Sequence, residues 1–278
     1  MKPSSVILRA FAALVASFII QAVCGILIPI KTAPAPHFMA WNILSLILTT
    51  AALTILAVRT DWRGWRLGVA VALIPLVLAS VNLLEGKVFL TNTNLPWGRI
   101  FLFNLLSSAL MIPVWTGLFG GESSVAEHFH PIRSKSRGER LWKFVVSDFT
   151  YLFLYFAAGA IIFPFVRDFY ATQHLPSLGT IVALQLMIRG PVFVLLCLLM
   201  TRMLGLTRLT GALAVGALFT VLSGIAPLLM PNPVFPDAVR WVHFCEVVSE
   251  NFVFGAIVAW LWGEPVRSRI TEQVQAAA

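Results

Sequence analysis

Runs of about 20 apolar residues, long enough to cross the hydrocarbon core of a bilayer as a helix, recur from one end of this chain to the other. Eight can be delimited, over residues 8–30, 39–58, 67–86, 99–119, 142–166, 178–201, 207–229 and 241–262. No soluble domain fits between them. Composition agrees: 59% of residues are hydrophobic, 12% are charged and the mean hydropathy is +0.87, far from a soluble globular domain. The fold class expected is all-α, a polytopic helical membrane protein of about eight transmembrane helices whose first partner is the lipid bilayer.

The basic residues orient these helices. With a cytoplasmic N-terminus and alternating crossings, Lys2, Arg9, Arg59, Arg63, Arg66, Arg133, Lys135, Arg137, Arg140, Lys143, Arg202, Arg208, Arg267 and Arg269 fall on the cytoplasmic side. Only Lys31, Lys87, Arg99, Arg167 and Arg240 fall on the other, and Arg189 lies within a helix. Positive charge accumulates on cytoplasmic loops, so both termini are expected in the cytoplasm and the chain in a cytoplasmic (inner) membrane. Topology thereby accounts for the net charge of +8. The basic stretch "SKSRGERLWK" at residues 134–143 is weak evidence for nucleic acid, which is not expected as a partner. Residues 8–30 are followed by an A-x-A triplet at Ala33–Ala35, but the apolar run exceeds a typical signal core and Pro36 would follow the cut. They are read as an uncleaved first helix. Cys24, Cys197 and Cys245 offer no disulfide framework or metal-like spacing and are expected as small buried hydrophobes.

The chain is expected to form a single membrane domain over residues 1–278. A polar linker at 121–140 divides it into four-helix units at 1–120 and 141–278, the second with a short C-terminal tail. The connections correspond across this divide. Pro29, Lys31 and His37 follow the first helix; Pro164, Arg167 and His174 follow the fifth. "VFLTNTNLPWGR" after the third helix resembles "PNPVFPDAVR" after the seventh, and the two helices open with "WRLGVAVAL" and "TRLTGALAV". An ancient duplication is the reading preferred. Four crossings return the chain to its starting side, so the repeats are expected to be parallel.

One span carries groups that a membrane helix rarely holds. In "WVHFCEVVSENFVFGAIVAWLW", His243, Glu246 and Glu250 recur at i, i+3 and i+7 and share one stripe. Counted from the outer end, Glu246 lies about 8 Å and Glu250 about 14 Å deep, so Glu250 needs the bundle interior, a watery cavity or an opposite charge. The sixth span places Arg189 about 16 Å down, with Gln185 one turn above it. An Arg189–Glu250 pair is expected, with Gln185, Glu246, His243 and Asn251 around it. Gly190 and Pro191 are expected to kink the helix beside the arginine. Asn82, Asn104, Ser107 and Ser108 could join the cavity, Glu85 is expected to snorkel at the interface, and Asp148 stands out in the inner leaflet.

Three functions fit such a chain. Transport of a small solute or ion leads, because a repeat, a broken helix and a charged site near the midplane are ingredients of secondary transporters, and no cofactor is then expected. The alternative is a metal-dependent membrane enzyme in which His243, Glu246 and Glu250 bind zinc or iron, with His37 or His174 completing the shell. Against it, the chain has no HExxH or GxSxG motif. A scaffold or sensor subunit, with the 120–140 loop and its His128 and His130 touching a partner or anionic headgroups, is the third.

Overall fold

A computed structural model describes residues 2–30, 37–90, 93–121, 136–231 and 235–263. Within them the chain is all-helical, with eight helices long and apolar enough to cross a membrane. They are α1 (Pro3–Leu27), α2 (Phe38–Arg59), α3 (Gly64–Phe89), α4 (Trp97–Phe119), α5 (Arg137–Ala171), α6 (Leu178–Leu204), α7 (Arg208–Leu229) and α8 (Asp237–Trp262). A helix meets every backbone donor and acceptor internally, which lipid cannot do, and this selects helices over strands for such runs. The protein is a multi-pass membrane protein.

Local signals set the boundaries. The Ser136 hydroxyl accepts from the Glu139 N–H at 3.1 Å and starts α5, in the S-x-x-E arrangement that caps a helix reciprocally. This helix spans 35 residues, well beyond the run expected at 142–166, and it takes up the last residues assigned to the 121–140 linker. Residues 122–135, with His128 and His130, lie outside the described residues. Gly205, at φ 59, ends α6 in the left-handed conformation that glycine adopts without strain.

Basic side chains close several helix ends. The guanidinium of Arg240, 2% exposed, donates to Leu228 O and Leu229 O at 2.9 Å each and to Asp237 Oδ1 at 2.9 Å. It thus satisfies carbonyls left without intrahelical donors at the end of α7 and places a cation at the negative end of the helix dipole. Arg208 donates to Gly263 O after α8, and Arg9 to Leu118 O at the end of α4. These arginines fasten helices together at their ends.

Neighbour relations repeat along the chain. In the first half α1 packs on α2 and α4, α3 on α2 and α4, and α2 on α4. In the second, α5 packs on α6 and α8, α7 on α6 and α8, and α6 on α8. Between the halves, α2 and α3 face α6 and α7. Glycine brings the tightest pairs together: a Cβ at Gly216 on α7 would sit 2.7 Å from Phe252 O on α8, and one at Gly68 on α3 would sit 2.6 Å from Ile112 O on α4. Small residues let membrane helices approach this closely.

Both α6 and α7 are interrupted by a π-turn immediately before an X–Pro pair. Gln185–Arg189 precedes Gly190-Pro191, and Val221–Ile225 precedes Ala226-Pro227. Proline has no N–H and collides with the carbonyl four residues back. The N–H just before it reaches five residues back instead, from Gly190 to Gln185 O and from Ala226 to Val221 O. A widened turn therefore stands where the sequence leads one to expect a plain kink. Below it, Tyr151, Phe193, Phe219 and Phe254 from four helices form an aromatic core, with ring centroids 5.0–5.8 Å apart along the contacting pairs.

Candidate functional site

A cavity of about 670 Å³ opens between α3, α5, α6, α7 and α8, within the range of small-molecule sites. Its walls are mostly apolar and aromatic, with Phe89, Phe156, Phe163 and Phe235 among them. The polar groups concentrate on Asn82 and Glu85 of α3, Arg189 of α6, and His243, Glu246 and Glu250 of α8. Intramembrane ionisable groups are costly, and they collect where protein or water can answer them.

Arg189 does not pair with Glu250. Its Nη1 pairs with Glu85 Oε1, and its Nη2 donates to Asn82 Oδ1 at 3.3 Å. The Gln185 amide joins the same carboxylate at 3.1 Å and accepts from the Tyr151 hydroxyl at 3.3 Å. The guanidinium also lies 5.1 Å from the centre of the Phe193 ring and 5.9 Å from that of Tyr151, within cation–π range. Glu85 is therefore no snorkelling interface residue. It lines the cavity as one member of a bridge between α3 of the first half and α6 of the second.

The physical reason lies in the lengths of the helices. The third span was expected to end at residue 86, which would leave Glu85 in the last turn, but α3 continues to Phe89. On α6, residues 178–183 are exposed or half-buried, whereas Gln185 and Arg189 are buried. With α3 reaching Phe89, one full turn of it lies beyond Glu85, which narrows its difference in depth from Arg189. A long arginine stem, which can carry its charge towards the interface, covers the remainder.

On α8 the stripe forms a relay. His243 Nδ1 meets Glu246 Oε2 at 2.6 Å, and its Nε2 meets the Tyr170 hydroxyl at 2.9 Å. With the proton on Nδ1, histidine donates to the carboxylate and accepts from the phenol, so the three groups form a continuous path for a proton. Glu250, one turn deeper and 8% exposed, lines the cavity with Oε1 unpartnered. Asn251 takes a different direction. It is 2% exposed, and its Nδ2 lies 3.6 Å from where a Cβ on Gly224 would sit, so it packs towards α7 and does not line the cavity.

The other sequence candidates are scattered. Asn104, Ser107 and Ser108 line a separate cavity of about 180 Å³ inside the first half, with Ser17 and Gln21 of α1. Asp148 is buried on the far side of the π-turn, against Gly190, with Oδ1 unpartnered. Cys24 and Cys197 are buried, whereas Cys245 is exposed on the α8 surface. His37 and His174 are exposed. Among the described residues no three His, Cys, Asp or Glu side chains are grouped to hold a metal ion, and both ring nitrogens of His243 are already engaged. Asn82, singled out in the sequence, does line the site, whereas Tyr170 joins it without any sequence cue beyond being polar.

No family model matches the chain, and no curated protein or solved structure matches it. Fold and site together define a multi-pass helical membrane protein with a charged cavity between its helices. Function has to be argued from the groups in that cavity.

Proposed function

We propose that the chain is a carrier that moves a small solute or ion through this cavity. In this reading its two four-helix halves are parallel repeats in a cytoplasmic membrane, with both termini in the cytoplasm. The observation that carries it is the Glu85–Arg189 ion pair, which takes one member from each half and lines the cavity. An ion pair so placed is a lock between two bodies, and a charge change on Glu85 opens it. Glu250 offers an unengaged carboxylate to the occupant, and the Tyr170–His243–Glu246 relay offers a route for a compensating proton. The repeated neighbour relations support two bodies of like construction, the arrangement from which rocking carriers are built.

The test is uptake into proteoliposomes under an imposed pH gradient, with a panel of small cationic, anionic and neutral solutes. At least one class is expected to accumulate in a gradient-dependent way, and Arg189→Gln is expected to abolish that accumulation. Metal analysis runs beside it. No flux for any class, together with stoichiometric zinc or iron that disappears in Glu246→Gln, would replace the carrier with a metal-dependent enzyme.

A further inference from the structure

We infer that the occupant of this cavity is a cationic amphiphile, a single apolar tail bearing an ammonium-type head, which enters sideways from the lipid. This inference rests on the carrier reading for its purpose but not for the site itself.

The head group follows from the charges that face the cavity. They are Arg189 against Glu85, Glu246 and Glu250, with His243 and the hydroxyls of Tyr155 and Tyr170 beside them. Glu85 is engaged by Arg189 and Gln185, and Glu246 by His243. What remains unanswered is Glu250, a buried carboxylate with one oxygen lacking any partner. A buried carboxylate without a hydrogen bond is costly. Arg189, held by Glu85 and Asn82, acts on Glu250 only through space, so a cation in direct contact is the group that this site lacks. An anion would meet three carboxylates and one arginine whose two Nη atoms are already engaged by Glu85 and Asn82, with only its Nε left without a partner. The aromatic rings of Tyr155, Phe156 and Tyr170 favour a weakly hydrated cation further.

The tail and its route follow from α5. The residues that this helix gives to the cavity run from Tyr155 and Ile162 on its inner face, through Phe156 and Phe163, to Ala160. Ala160 lies seven residues after Phe153 and therefore on the same stripe of the helix. Phe153 is 70% exposed and belongs to the apolar outer surface with Ile161 and Phe165. The cavity thus reaches round the flank of α5 as far as the surface that meets lipid. A tail lying along that flank keeps its methylenes among apolar side chains while the head reaches Glu250.

The experiment uses the full chain in lipid nanodiscs and a dodecyltrimethylammonium carrying a diazirine in its tail. Crosslinks are expected on the α5 flank near residues 156–163. Unlabelled dodecyltrimethylammonium is expected to prevent them at a concentration at least tenfold below that needed with dodecyl sulfate or tailless tetramethylammonium. Glu250→Gln is expected to weaken labelling by about tenfold, the loss of about 1.4 kcal/mol. Gly159→Trp, which places its ring in the cavity from a position where an added Cβ would lie 3.7 Å from Glu246 Oε1, is expected to abolish it. The competition series needs no variant and stands even where a variant fails to fold. Equal protection by dodecyl sulfate, or labelling indifferent to Gly159→Trp in a folded protein, would overturn the inference. The two readings separate cleanly. Specific labelling without flux leaves the amphiphile site and removes the carrier, whereas flux of a tailless solute that the amphiphile does not inhibit does the reverse.

Discussion

Arg189 shows why membrane sites are hard to pair from sequence. Its side chain is 8% exposed and Glu85 is 21% exposed, so each holds the other's charge in a place where neither would stand alone. Removing one partner of a buried pair leaves an uncompensated charge and costs about 3–5 kcal/mol, whereas removing both costs far less. Because this pair borders a cavity, about 2 kcal/mol is expected for Arg189→Leu. The double variant Arg189→Leu/Glu85→Leu is expected to recover more than half of that loss. Thermal unfolding of the purified protein in detergent, followed by tryptophan fluorescence, reads both values, and strictly additive losses would show that the pair is not coupled. The arginine and its burial were legible from a single charge in an apolar run. So was the stripe of His243, Glu246 and Glu250, because i, i+3, i+7 spacing is local. The partner was not. Glu85 lies 104 residues away along the chain, and the depth rule that selected Glu250 places a charge level with its own Cα, whereas a long arginine stem can carry it away from that level.

At the level of the helix, the π-turns are the features that single letters conceal. Pro191 announces a disturbance in α6 but not its form. One extra residue in the turn rotates everything above it by about 100°, and this decides which face Gln185 presents. Gly190 is the position where that turn meets α5. An added Cβ would strike Asp148 Oδ1, lie 2.9 Å from Gln185 O and 3.2 Å from the Tyr151 ring. Gly190→Ala is therefore expected to destabilise the protein by about 1–3 kcal/mol. Gly98, on the first turn of α4, has nothing within 4 Å of the same added atom. There alanine is expected to be neutral or to stabilise by up to about 1 kcal/mol through helix propensity. Comparing the two unfolding midpoints checks the assignment. Equal shifts would mean that the close approach of α5 and α6 is not what Gly190 is for.

Taken as a whole, the molecule was readable in its number of helices and in little of their arrangement. Length and hydropathy count spans because the bilayer imposes one thickness on all of them. They do not say which helices touch, since lipid tails are as apolar as the side chains between helices. The repeated neighbour relations make a direct forecast. Residues 1–121 and 136–278, expressed together as two chains, are expected to assemble and co-purify through the face between α2, α3, α6 and α7. The test is capture of the untagged piece by the tagged one, with Arg189→Leu reducing the yield. Failure to co-purify, with each piece inserted in the membrane, would argue against two self-contained halves.

The bridge across that face has a further consequence, one of inheritance. An acid at position 85 and a base at position 189 answer each other across the linker, so neither half is free to drift at this point without the other. A change at one site leaves a stranded charge that only a second change, in the opposite half, relieves. Among descendants of such a chain the two positions are expected to change as a unit, acid with base or both to neutral residues. Two halves that share a charge in this way can no longer vary as independent parts.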